Sequence, residues 1–565
     1  MKKFLAKKMM LLVGLVLLGL TFSSFKDDDK NFKVAKNLDI FNTIFKELNI
    51  YYVDTINPDK SIKVGIDAML DGLDPYTEYY PEEEMGDLNL MLKGSYGGIG
   101  SIITYYKGRV AIDEPYEGMP AAKVGLKAGD VLLEIDGKDL KGKSVAQVSE
   151  MLKGQIGTSF MLKVERPGAK KPLEFKLTRE SIQIPAVPYY SVEANNTGYI
   201  QLNSFTGKPS KEFKDAFLAL KKKGITSLVI DLRNNGGGLL DEAVEIANMF
   251  IPRGKEIVST KGRIKQGDRS YKTTREPIDP EIPITVLVNN SSASASEILA
   301  GAFQDLDRAV IIGTRTFGKG LVQTTRNLPY GGNLKLTTAK YYIPSGRCVQ
   351  AIDYKHRNED GSVGRVPDSL TTVFHTAAGR EVRDGGGIMP DVEIKVEKAP
   401  NILFYLVMDK LIFEYANDYC VKHPTIASAK DFVLTDEDYN EFKALVNKAN
   451  FKYDRQSDKV LKNLKEVAEF EGYMDEASEE FKALEKKLSH NLDRDLDHFA
   501  KDIKSVISTE IVKRSQFQKG AIIQQLKGDE ELAKAIELLK DQDKYKSLLK
   551  PGKTNAEQKS VATAK

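Results

Sequence analysis

Apolar residues recur along this chain at more than one spacing. Between positions 37 and 73, Leu38, Phe41, Phe45 and Leu48 fall three and four residues apart, which predicts amphipathic helices. From about residue 180 the pattern changes to short apolar runs at 198–202, 227–231, 284–288 and 309–313, each read as a buried strand. Helical segments at 212–223 and 297–303 lie between them, and this alternation predicts an α/β core. Between Gly94 and about Arg179 the chain reads as a small β-rich unit. Its one clear helix is capped by Ser144 and carries Val145, Val148, Met151 and Leu152 on one face. Beyond residue 395 the sequence turns helical and charged. Tyr439, Phe442, Leu445, Val446 and Ala449 form one apolar face, and Leu532, Ala535, Ile536 and Leu539 another. These stripes are expected to be the packed core of a carboxyl-terminal helical domain, with a dimer surface or an adaptor site as the other reading.

The amino terminus carries a different signal. Lys2, Lys3, Lys7 and Lys8 precede an apolar stretch from Met9 to Leu20, the pattern of a secretory signal or an uncleaved membrane anchor. A periplasmic or cell-envelope location follows as an expectation, with anchoring to the inner membrane if the segment is retained. The 83 basic and 80 acidic residues leave a net charge of +3, which argues against a general attraction to nucleic acid. The two cysteines, Cys348 and Cys420, are compatible with one disulfide in an oxidising compartment but do not make a framework.

The chemistry centres on Ser292-Ala293-Ser294-Ala295-Ser296-Glu297 and on Thr316-Phe317-Gly318-Lys319-Gly320. A serine between a strand and a helix sits beside backbone N–H groups that lack internal acceptors, a setting suited to acyl transfer. A serine hydroxyl needs a base, and none of the five histidines precedes His356. Metal-ligand spacing is also missing from the first 340 residues, so neither metal nor cofactor is expected. Lysine is the remaining base, provided burial lowers its pKa from about 10.4 to roughly 7 to 8. Gly318 and Gly320 would let the backbone approach closely on either side of Lys319. Gln323 shares its face if the following segment is extended, but a bend at Gly320 is needed to bring the two together. The bland reading makes Ser294 a helix cap and Lys319 a solvated loop residue. A phosphate loop, Gly313-Thr-Arg-Thr-Phe-Gly318-Lys319, is disfavoured because Gly320 stands where Ser or Thr would hold magnesium, and no helical pattern follows.

Taken in order, these segments resemble the carboxyl-terminal processing (tail-specific) protease family. The resemblance runs through Tyr52-Val53-Asp54, the stretch 69–76, Gly98-Ile99-Gly100, Asp231-Leu232-Arg233-Asn234-Asn235-Gly236-Gly237-Gly238, the serine and lysine segments, and Gly387-Ile388-Met389-Pro390-Asp391. It implies Ser294 as nucleophile, Lys319 as general base, Gln323 as the residue that positions the lysine, and an oxyanion hole of the Ala295 N–H with that of Gly237 or Gly238. The family's usual proline is replaced here by Gly236. The β-rich unit looks like a PDZ domain, in which Gly98, Ile99, Gly100 and Ser101 would take the terminal carboxylate of a peptide paired to a strand edge.

The fold expected is therefore an α/β protease core with an inserted PDZ domain, flanked by an amino-terminal helical segment and a carboxyl-terminal helical domain. The expected division is 1–25 signal or anchor, 32–92 helical segment, 93–180 PDZ, 181–395 protease core, 396–550 helical domain and 551–565 disordered tail. The expected activity is that of an envelope serine endopeptidase acting through an acyl-enzyme on proteins with apolar or unstructured carboxyl-terminal tails. A catalytically inactive PDZ scaffold is the alternative, and non-proteolytic acyl transfer a third reading. Helical flanks at both ends are compatible with a homodimer or an adaptor partner.

Overall fold

Strands β-rich in apolar residues on both faces need cover on both sides, and this requirement explains most of the architecture. The computed structural model describes residues 29–85, 94–358, 362–395 and 399–551. The expected signal or anchor at 1–25 and nearly all of the expected tail lie outside the described residues. Two units are distinguished: the residues up to Tyr79 with Thr325–Leu336, and Tyr80–Thr324 with those from Thr337 onward.

In the first unit a helix over residues 29–51 (α1) is followed by α2 (Pro58–Asp71). Asn57 caps α2 by accepting the Lys60 N–H at 3.0 Å. The expected apolar stripe of α1 forms, but Leu38, Phe41 and Leu48 stay 60, 47 and 44% exposed.

The second unit opens with the β-rich module. Strand β1 (Ser95–Gly98) pairs antiparallel with β8 (Glu180–Gln183), so the chain enters and leaves the module through one two-stranded neck. Between them lie β2 (Ser101–Tyr106), β3 (Arg109–Pro115), β4 (Val131–Ile135), β5 (Lys138–Asp139), α3 (Val145–Leu152), β6 (Ser159–Glu165) and β7 (Leu173–Thr178). Their sheet has the order β2-β3-β4-β6-β7 with β5 on β4, which leaves β2 at an edge. Ser144 caps α3 in a capping box with Gln147, and Val148 and Leu152 enter the module's core.

The α/β core is a six-stranded sheet of β9 (Tyr189–Glu193), β10 (Thr197–Gln201), β11 (Ser227–Asp231), β12 (Ile284–Val288), β13 (Val310–Gly313) and β14 (Val392–Glu393). Only the β9–β10 pair is antiparallel. One face buries Ile200, Ile230, Val286 and Ile311 against α4 (Pro209–Lys222), α5 (Leu240–Ala247) and α6 (Ala295–Asp305). The alternate residues Tyr199, Val229, Leu287 and Ile312 face the other way. Strands β15 (Leu321–Asn327) and β16 (Asn333–Tyr342) follow the lysine segment.

The carboxyl-terminal region is helical as expected, but its stripes serve two cores. Tyr439, Phe442 and Val446 of α7 (Asp436–Lys448) pack in a core built with Ile503, Ile507 and Ile511 of α8 (Ala500–Gln525). The stripe Leu532, Ala535 and Leu539 of α9 (Glu530–Lys540) instead covers the second face of the protease sheet, with Tyr545 beside it. That stripe is therefore the missing layer of the α/β core and no part of a separate helical core. Cys348 and Cys420 are both free thiols.

Candidate active site

Strand β12 ends at Val288, and six residues later α6 begins with Ser294 as its N-cap. Ser294 adopts φ 57° and ψ −116°, a conformation that costs an L-residue roughly 1–3 kcal/mol and persists only where neighbours enforce it. They do so here. The Ser294 N–H donates to Glu297 Oε2 at 2.9 Å, and the Ala293 N–H to the Asn235 carbonyl at 3.0 Å. Ser292 and Ser296 are fully buried, their hydroxyls donating to the carbonyls of Leu232 and Asn235 at 2.7 and 2.9 Å. Ser294 lies between them, half-buried at the edge of the site.

The lysine segment meets the serine through one carboxylate. Glu297 is completely buried and accepts four donors: Thr316 Oγ1 at 2.6 Å, the Gly318 N–H at 2.8 Å, the Lys319 N–H at 2.8 Å, and the Ser294 N–H. Burial pushes its pKa up to about 7, against the pull of those donors. Thr316 Oγ1 also accepts the Ile388 N–H at 2.6 Å, which ties the Gly387–Asp391 motif to the same carboxylate. The buried Tyr341 hydroxyl donates to the Lys319 carbonyl and lies 3.3 Å from the Ser294 carbonyl. The close approach expected of the flanking glycines is present. A Cβ on Gly318 would stand 2.3 Å from Ala351 Cβ, and one on Gly320 would stand 2.8 Å from the Gln350 nitrogen.

Lys319 is half-buried and precedes β15, which begins at Leu321, so Gly320 lies outside the strand. Gln323, within β15, donates its amide to Thr337 Oγ1 at 3.1 Å. The element directly after Lys319 is a strand and not the helix that a phosphate loop requires.

The glycine loop lies close against the serine. A Cβ on Gly237 would sit 2.6 Å from the Ala293 oxygen and 2.7 Å from Ser294 Cβ. Asn235 governs this loop. Its Nδ2 donates to the Leu202 carbonyl at 2.6 Å, and its Oδ1 accepts the Gly237 N–H at 2.9 Å. The Gly237 N–H is thus engaged within the loop. Gly238 holds φ 146° against Phe205, and Ala295 is the first residue of α6, where an N–H has no intrahelical acceptor. A Cβ at Gly236, where the family usually has proline, would meet nothing within 4 Å.

In the β-rich module, Gly98 ends β1 and Ser101 opens the edge strand β2 beside α3. The Ile99 and Gly100 carbonyls are engaged, accepting the N–H groups of Ala121 and Tyr116 at 2.8 and 2.9 Å. The Ser101 hydroxyl is buried with no hydrogen-bond partner among the described residues. This arrangement offers a strand edge beside a glycine loop, the geometry that adds an extended peptide to a sheet.

Residues 196–356 match the family described as Peptidase family S41, residues 112–166 a PDZ domain, and residues 402–539 the "Probable PDZ-protease, C-terminal helical domain". The carboxy-terminal-processing protease of Bartonella bacilliformis is 40% identical over 321 residues, which span 56% of this chain and 73% of that protein. The chain belongs to the carboxy-terminal-processing protease family. A probable CtpA-like serine protease of Staphylococcus aureus is 38% identical over 56% of this chain and 64% of its own length. Among solved structures, a photosystem II D1 C-terminal processing protease matches 64% of this chain and 88% of its own at 31% identity, with a TM-score of 0.36. By its family matches and its curated relatives the chain is a serine peptidase of family S41 that carries a PDZ domain.

Three residues of this carboxy-terminal-processing protease went unassigned by sequence reasoning. Glu297 had a signal, since Ser294-x-x-Glu297 is a capping-box spacing at a helix start. Asn235 lies within the Asp-Leu-Arg segment but gives no spacing that marks it as the loop's anchor. Tyr341 comes from a strand beyond the lysine, and no local pattern points to it.

Proposed function

We propose that this carboxy-terminal-processing protease cleaves proteins through an acyl-enzyme formed on Ser294, with Lys319 as general base and Gln323 as the residue that positions the lysine. Neutral Lys319 takes the proton of Ser294 Oγ as the oxygen attacks the scissile carbonyl. The developing oxyanion is held by the Ala295 N–H and by that of Gly238, the other candidate, Gly237, having its N–H engaged by Asn235 Oδ1. Collapse expels the new amino terminus, which takes the proton from Lys319. Water then attacks the ester with Lys319 again as base, releasing the acid and restoring Ser294.

The observation that carries this reading is the shared carboxylate, with Glu297 accepting N–H groups from both Ser294 and Lys319. A chain that used Ser294 only as a helix cap would have no need to fasten a lysine segment to it. Substrates are proposed to be unstructured proteins with apolar carboxyl-terminal tails, held on the β2 edge by the Gly98–Ser101 loop. Tethering raises the local concentration of the cleavable segment to roughly the millimolar range. The lysine-led apolar stretch before Thr21 supports a place in the cell envelope.

The test is product analysis. Wild-type protein should generate new peptide termini from an unstructured apolar-tailed protein, and Ser294→Ala and Lys319→Ala should each abolish them while remaining folded. Cleavage retained by either variant would refute the assignment.

A further inference from the structure

The loop beside Ser294 is gripped by the carboxyl-terminal segment that covers the second face of the protease sheet. Arg233, in the Asp-Leu-Arg segment, donates to Asp231 of its own strand end through Nε and Nη2, the latter at 2.6 Å. Its remaining donors go to the carboxyl-terminal region. Nη2 reaches Asp529 Oδ2 at 2.7 Å, while Nη1 reaches Asp529 Oδ1 at 3.1 Å and Glu531 Oε2 at 2.6 Å. The four side chains are 5 to 16% exposed, and Glu531 Oε1 is buried without a hydrogen-bond partner among the described residues.

One guanidinium among three carboxylates, taken out of water, adds little net stability over apolar packing and is best understood as fixing a geometry. The path from it to the site is short. Arg233 is the second residue of a turn closed by the Asn235 N–H to the Leu232 carbonyl at 3.2 Å, with Asn234 at φ 60° in its third position. Asn235, the last residue of that turn, holds the Gly237 N–H through its side chain and the Ala293 N–H through its carbonyl. Displacing Arg233 would therefore tilt the turn that sets both walls of the proposed oxyanion site.

We infer that Asp529 and Glu531 of the carboxyl-terminal region are positioning residues for catalysis, acting through Arg233 on the 231–238 loop. The inference rests on the proposed acyl-enzyme mechanism and gives the α9 segment a task beyond covering the sheet.

Asp529→Asn and Glu531→Gln, combined in the full-length chain, test it. Asn serves as well as Asp at an N-cap, so the start of α9, where Asp529 accepts the Leu532 N–H at 2.9 Å, is kept. The double variant should lose ten- to hundredfold in kcat on an apolar-tailed unstructured protein, and label more slowly with a fluorophosphonate. KM and the affinity for a fluorescent apolar tail peptide should stay within twofold. Unchanged kcat would overturn the inference. So would a loss of kcat matched by an equal loss of tail binding or by partial unfolding in circular dichroism, with Glu531→Gln alone read the same way. An inactive wild-type chain would overturn both this inference and the mechanism beneath it, whereas an active wild type with an unaffected double variant removes the inference alone.

Discussion

Ser294 and Lys319 donate their backbone N–H groups to the same atom, Glu297 Oε2, at 2.9 and 2.8 Å. The strained serine and the lysine segment are therefore set by one buried side chain, and its protonation state acts on both.

Glu297 predicts opposite pH trends for stability and activity. Its folded pKa is raised from 4.5 to about 7 by burial. Its contribution to stability is therefore fully present below pH 4.5 and is lost as pH rises through about 7. The loss amounts to about 3 kcal/mol at ~1.36 kcal/mol per unit. Activity should climb over the same interval, because only the carboxylate can accept all four donors. Denaturant unfolding across pH 4.5–8 should show this slope in wild type and a flatter one in Glu297→Gln. The Gln variant should also lose at least tenfold in kcat, since its amide nitrogen faces backbone N–H groups left without an acceptor.

Two adjacent glycines should respond in opposite ways. Gly237→Ala places a Cβ 2.7 Å from Ser294 Cβ at φ 97° and should abolish hydrolysis. Gly236→Ala meets nothing within 4 Å, and its φ lies outside the left-handed region. It should retain activity and gain about 0.4–1 kcal/mol by restricting the unfolded chain, read as a higher thermal midpoint. Loss of activity in Gly236→Ala would show that the loop needs its freedom there.

Tyr341→Phe removes the hydroxyl that joins the Lys319 and Ser294 carbonyls. A loss of about 1 kcal/mol in stability is expected for one hydrogen bond. The larger effect should fall on kcat, by roughly tenfold at ~1.4 kcal/mol of misplaced transition-state contact, with KM unchanged. Equal effects on kcat and KM would argue against a positioning role.

Gly100→Val should separate tail capture from chemistry. Gly100 holds φ 70°, and a Cβ there would meet Met119 Cβ at 2.5 Å. KM for an apolar-tailed protein should rise severalfold, while labelling of Ser294 by a fluorophosphonate continues at the wild-type rate. Unaltered KM would exclude this loop from substrate capture.

The strands were legible because burial on both faces writes itself as an uninterrupted apolar run: 227–231 and 284–288 coincide with the strands observed. The stripe of Leu532, Ala535 and Leu539 revealed a helix but not its partner, because amphipathic spacing reports that a face is covered and says nothing of what covers it. The serine and lysine could be proposed from residue types and order. Tyr341, Asn235 and the Arg233–Asp529–Glu531 cluster could not, since contacts between distant segments leave no spacing to read. Asp529 and Glu531 look in sequence like ordinary acids at a helix start.

The most direct measurement is mass spectrometry of the Ser294 peptide after brief exposure to a fluorophosphonate, compared between wild type and Lys319→Ala at neutral pH. A serine activated by a lysine predicts stoichiometric labelling on Ser294 in wild type and almost none in the folded lysine variant. Labelling of Lys319→Ala at the wild-type rate, or on a serine other than Ser294, would contradict the account.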